Sequence, residues 1–250
     1  MTRDARSARG AVHDVARHAH EVVDAAEQRV EELVDQLKPH LRGWLHLGMV
    51  PVSVVASVVL VVLARTPAER VATTAFGITA VALFATSATY HRGRWSPRTA
   101  RVLKRLDHAN IFLIIAGTHT PFAVMLLPPG QARTLLVVVW SGAVAGVLFR
   151  VFWTDAPRWL YTMVYVAMGW VAVFYLVPFW RTGGPLIVGL IAAGGLLYTA
   201  GAVVYAARRP DPSPRWFGFH EVFHAFTVAA FSSHWVAALL AVLGVRAAAA

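Results

Sequence analysis

His220, Glu221 and His224 lie in the run HEVFH, where two imidazoles four residues apart face the same way on a helix, one turn from each other. Zinc metalloproteases use this pattern to hold the metal with both His side chains and to set the Glu up as general base. Such enzymes also need a later ligand, and the extended form needs a His where this chain has Ala230. From Ala225 onward the sequence contains no Asp or Glu. HEVFH therefore offers two ligands to a site whose third member must come from upstream, and proteolysis is not the expected chemistry. With no cysteine in the chain, imidazole and carboxylate are its strong metal ligands.

Which upstream residues can reach that pair depends on the elements that carry them. Of the 250 residues, 57% are hydrophobic and 14% charged, a balance that excludes an ordinary soluble domain and points to a membrane protein. Seven apolar runs follow Pro39, at 44–64, 71–91, 108–127, 134–152, 159–178, 185–207 and 217–244, each near the ~20 residues that a helix needs to cross the hydrocarbon. The expected fold is all-α, an integral membrane bundle of seven transmembrane helices over 43–250. The polar residues 1–42 form a separate cytoplasmic tail, with no signal peptide visible. Within that tail, apolar residues from Val12 to Leu37 recur every three or four positions and predict one amphipathic helix. It is expected to lie on the membrane surface or to pair with a second copy, which makes it a candidate homo-oligomer contact.

Lys and Arg set the orientation. With the amino terminus placed on the same side as the 92–105 loop, that side carries 18 of the 23 basic residues, so it is cytoplasmic and seven crossings put the carboxyl terminus outside. The net charge of +10 belongs to these loops and serves topology and lipid contact, not nucleic-acid binding. The Arg-rich, Ala-rich composition suggests a bacterial protein of the inner, cytoplasmic membrane.

Topology then sorts the polar residues by depth. His91 closes the second helix, Asp107 opens the third, and His220 and His224 open the seventh, so all four fall at the cytoplasmic end. Ser87 lies on the His91 face, one turn deeper. Ionisable groups in membrane helices turn inward and seek partners. Zn²⁺ held by His91, His220 and His224 would satisfy three of them and leave one open position, with Asp107 orienting a ring N–H or a water. His108 is set aside as facing headgroups or the Arg-rich loop. His119 is excluded by depth, and His234 by depth and face.

The stretches SATYHRG (87–93), KRLDHANIFLIIAGTHTPF (104–122) and FHEVFHAF (219–226), with LRGWLHLG (41–48), resemble the haemolysin III family, the bacterial branch of the progestin and adipoQ receptor superfamily that includes the adiponectin receptors. The resemblance spans about 41–245 and does not cover the tail; His119 departs from it, at a position where Tyr is expected. It implies seven helices with the amino terminus inside, zinc on His91, His220 and His224, Asp107 holding a water at the metal, and Ser87 adjoining. Through the distant alkaline ceramidases it suggests hydrolysis of a lipid amide, with a membrane lipid as substrate or ligand. In that chemistry Asp107 would move the proton and Ser87 would steady an oxygen, with Glu221 as a second candidate base. Two alternatives stay open: a lipid or membrane-state sensor with structural zinc, and a pore-forming haemolysin.

Overall fold

The computed structural model describes residues 39–153 and 156–244, so the helix expected over 12–37 lies outside the described residues. The described residues from Leu41 onward belong to one packed helical unit. Its helices are α1 (Trp44–Leu63), α2 (Pro67–Arg92), α3 (Pro97–Leu126), α4 (Pro129–Phe152), α5 (Arg158–Gly169), α6 (Leu176–Ala207) and α7 (Phe219–Leu243), with a 3₁₀ stretch, Trp170–Tyr175, joining α5 to α6. No strand occurs among the described residues, and an isolated bridge between Ser213 and Phe217 closes the loop before α7.

Several helices start earlier than their apolar runs, because local caps set the ends. Thr66 accepts the Glu69 amide at 3.2 Å while the Glu69 carboxylate accepts from the Thr66 amide at 3.3 Å, and Pro67 takes the first helical position. Ser96 does the same for α3, accepting from the Thr99 amide at 3.3 Å just before Pro97. The basic turns after Pro97 are good helix formers whose long side chains reach out to water, so α3 begins well ahead of the apolar run expected at 108.

Six of these helical stretches are long and apolar enough to cross a membrane, with Arg158–Ala207 counting as one of them at 50 residues. That run is not one straight rod. Its 3₁₀ stretch is followed by Gly184 at φ 73°, a conformation that favours glycine, and then by Pro185, which has no amide hydrogen to donate.

Burial identifies α3 as the central pillar: 72% of its apolar window is buried, against 17% for α1 at the periphery. Side-chain hydrogen bonds stitch the helices where apolar surface alone cannot choose a partner. Asn110 of α3 donates to the Ala82 carbonyl of α2 at 3.1 Å, Tyr165 of α5 donates to the His108 carbonyl at 3.1 Å, and Trp235 of α7 donates to the Ala56 carbonyl of α1 at 2.9 Å.

Candidate metal centre

The end of α2 and the start of α7 meet. His91, His220 and His224 each present one ring nitrogen, and the three nitrogens lie within 4.8 Å of one another. The His91 and His220 Nε2 atoms are 3.1 Å apart. A tetrahedral ion at ~2.0–2.1 Å from each nitrogen would need them about 3.3 Å apart, close to the spacing of the His91 and His220 atoms. His224 is buried at 2% exposure. The donor set is nitrogen throughout, and it fits a borderline-soft divalent ion.

Asp107 and Ser87 lie beside the cluster. An Asp107 Oδ2 atom lies 3.8 Å from His91 Nε2, and the Ser87 hydroxyl is in polar contact with the same carboxylate. Both residues, with His220 and His224, line a single cavity of about 240 Å³. From that polar end the cavity runs between apolar walls that include Ile111, Ile115, Phe122, Leu176 and Phe179.

Glu221 is not placed as a free base. One carboxylate oxygen accepts from the Arg42 Nε and the other from the Gly218 amide at 2.8 Å, so the side chain caps α7 and holds a buried ion pair. At 1% exposure it is buried.

Residues 41–46 contribute more than spacing revealed. Arg42 pairs with Glu221. Gly43 adopts φ 79°, and a Cβ there would lie 2.8 Å from the His91 Cβ. His46 stacks flat on His224, with ring centroids 3.7 Å apart and planes 12° apart. His46 is also the one ionisable residue in α1, a signal that could have drawn attention to it. Arg42 reads in the sequence only as one more basic residue of the tail.

His108 corrects an expectation. It is buried, its Nδ1 lying 2.8 Å from an Arg150 Nη2, and Arg150 is itself 2% exposed and stacked over the Tyr161 ring at 4.6 Å. The pair tucks inward because α4 ends beside the first membrane turns of α3, which offers the guanidinium a ring nitrogen and an aromatic face. His119 and His234 are not part of the three-imidazole group, but both line the same cavity as His220 and His224, so depth and not helix face separates His234 from them.

Comparison with known proteins accords with this architecture. A family model described as haemolysin-III related matches residues 34–235. The chain is 31% identical over 160 residues to a hemolysin-3 homolog of Bacillus subtilis (strain 168), covering 64% of this chain and 72% of that one. It is 31% identical over 156 residues to hemolysin-3 of Bacillus cereus, covering 61% and 71%. A more distant likeness, 21% over 198 residues and covering 78% and 80%, joins it to the human monocyte to macrophage differentiation factor. A multi-pass helical chain with three imidazoles converging from α2 and α7, matched by the family model over most of its length, is a membrane protein of the haemolysin III-related family.

Proposed function

We propose that this protein is a zinc-dependent hydrolase of a lipid amide or ester, acting at the cytoplasmic end of seven membrane spans. The observation that carries the reading is one continuous cavity with Ser87, Asp107, His220 and His224 at one end and an apolar wall beyond them. That shape suits a molecule with a polar linkage at the imidazole cluster and a hydrocarbon chain among the helices. Some of the wall is also exposed on the outside of the bundle: Trp170, Val173 and Leu196 are 42%, 39% and 57% exposed, on the 3₁₀ stretch and α6. A lipid approaching sideways from the bilayer would meet them first.

Zinc, when bound, supplies a Lewis acid that polarises a carbonyl and acidifies water. The chain's own residues do the rest. Asp107, on the cavity wall beside His91, takes a proton from the attacking water and returns it to the leaving nitrogen or oxygen, so that water and an amide yield acid and amine. Ser87 holds the Asp107 carboxylate in place. Arg42 and Gly218 keep Glu221 occupied, which supports Asp107 over Glu221 as the base.

Seven spans result if Gly184 and Pro185 divide the 50-residue run into 158–183 and 185–207, each long enough for a crossing of ~20 residues. The basic-residue count then favours a cytoplasmic amino terminus, and the bacterial relatives favour a bacterial cytoplasmic membrane. The relatives' hemolysin name raises a pore, but polar groups gather at the ends of this cavity and do not line a path through it, which favours a lipid.

The test is fatty-acid release from a panel of lipid amides and esters by the purified, zinc-loaded protein. Asp107→Ala is expected to retain the metal and lose about 100-fold or more in rate. His91→Ala should lose both metal and activity. Absence of release across the panel, or release indifferent to both substitutions, overturns the proposal.

A further inference from the structure

The cavity has a second polar end. His119 lies twelve positions beyond Asp107 on α3, about 18 Å along the axis at ~1.5 Å per residue, and it shares the wall there with Tyr198 of α6 and His234 of α7. None of the three coordinates anything in the imidazole cluster, and the hydrolytic reading does not use them.

Their hydrogen bonds fix what they still lack. His119 Nδ1 sits 2.7 Å from the Ile115 carbonyl oxygen. A carbonyl only accepts, so this nitrogen carries the hydrogen, and in the neutral ring Nε2 keeps a lone pair. His234 has the opposite arrangement, with Nε2 3.1 Å from the Ile191 carbonyl oxygen and the lone pair on Nδ1. Tyr198 stacks beside His234, ring centroids 5.7 Å apart, and brings a hydroxyl. Among the described residues, His119 Nε2, His234 Nδ1 and the Tyr198 hydroxyl make no hydrogen bond, although all three are buried polar atoms. The Gly169 carbonyl approaches His119 without completing one. His119 and His234 are 7% and 6% exposed, so bulk water is not their partner.

Two lone pairs and a phenol call for a neutral group that donates a hydrogen bond. A carboxylate, a phosphate or a carbonyl would bring only acceptors, and a methyl end would satisfy nothing. A cation would have no counter-charge, since the one acidic residue on the cavity wall is Asp107, at the other end. We propose that this end of the cavity is a hydroxyl subsite: the lipid carries a hydroxyl on its hydrocarbon chain that donates its one hydrogen to His119 or His234 and accepts from the Tyr198 hydroxyl, about 18 Å from the linkage at Asp107. The identity of the occupant rests on the lipid reading above; the subsite does not require that the lipid be cleaved.

A trapped water offers the same O–H chemistry, and a binding experiment separates the two sources. The full-length protein in nanodiscs is challenged with a saturated fatty acid and with isomers carrying one hydroxyl walked along the chain, each displacing a fluorescent fatty acid. The isomer whose hydroxyl reaches the cluster is expected to bind about ten-fold tighter than the parent acid and the misplaced isomers, the worth of one net hydrogen bond. Tyr198→Phe, which keeps the ring, should remove most of the preference for that isomer over the parent acid, and His119→Leu should do likewise. Equal binding of parent and all isomers overturns the subsite and assigns the cluster to water, with the lipid reading intact. A preference that survives both substitutions also overturns it. If no fatty acid binds, the subsite and the lipid reading fall together.

Discussion

At the residue scale, the convergence of His91, His220 and His224 was legible because their type and their place at helix ends sufficed. Glu221 was not. The sequence offers it as the general base of HEVFH, yet its partner Arg42 is 179 positions away, and only the folded chain brings them together. Removing one member of a buried pair leaves an uncompensated charge, so Arg42→Ala is expected to destabilise the protein by roughly 3–5 kcal/mol. Reversible denaturant unfolding in micelles measures this. The double variant Arg42→Ala, Glu221→Gln should recover part of the loss, because it no longer strands a carboxylate; a double variant as unstable as the single one would argue that Arg42 acts through something other than Glu221.

At the element scale, the start of α1 works as a brace for the site. The Leu41 amide donates to the Trp216 carbonyl at 3.1 Å, fastening this segment to the loop before α7, and Gly43 turns the chain against the last turn of α2. Nothing larger than hydrogen fits at Gly43 without moving His91, and its φ of 79° resists any side chain. Gly43→Ala is therefore expected to weaken zinc binding about ten- to hundred-fold, the range seen when support around a ligand is lost. Competition with a chromogenic chelator reads it out. Gly48→Ala is the control, since a Cβ there meets nothing within 4 Å, and its affinity should equal that of the unaltered protein. The extents of the helices were only partly legible: apolar runs mark the hydrocarbon layer, whereas Ser96, Pro97 and the Thr66–Glu69 box set where α3 and α2 begin.

At the scale of the whole molecule, the run Arg158–Ala207 decides how many times the chain crosses. A break at Gly184 gives seven spans and puts the two termini on opposite sides. A fluorescent protein that folds only in the cytoplasm should glow when fused to the amino terminus and stay dark at the carboxyl terminus; fluorescence from both would mean an even number of crossings. The sequence by itself determined the membrane class, the helical content and the expectation that His91, His220 and His224 gather at one end of the helices, where the structure brings them together. Rise per residue is constant along an unbroken α-helix, so position within one helix converts directly into depth. Tertiary structure alone decided which helices are neighbours and how each is rotated about its axis. In a bilayer the faces toward lipid and toward the core are both apolar, so hydrophobic periodicity carries little information about rotation. The stacking of His46 on His224, the inward pairing of His108 with Arg150, and the meeting of His119 with His234 in one cavity all depend on that rotation, and so they became visible only once the helices were packed.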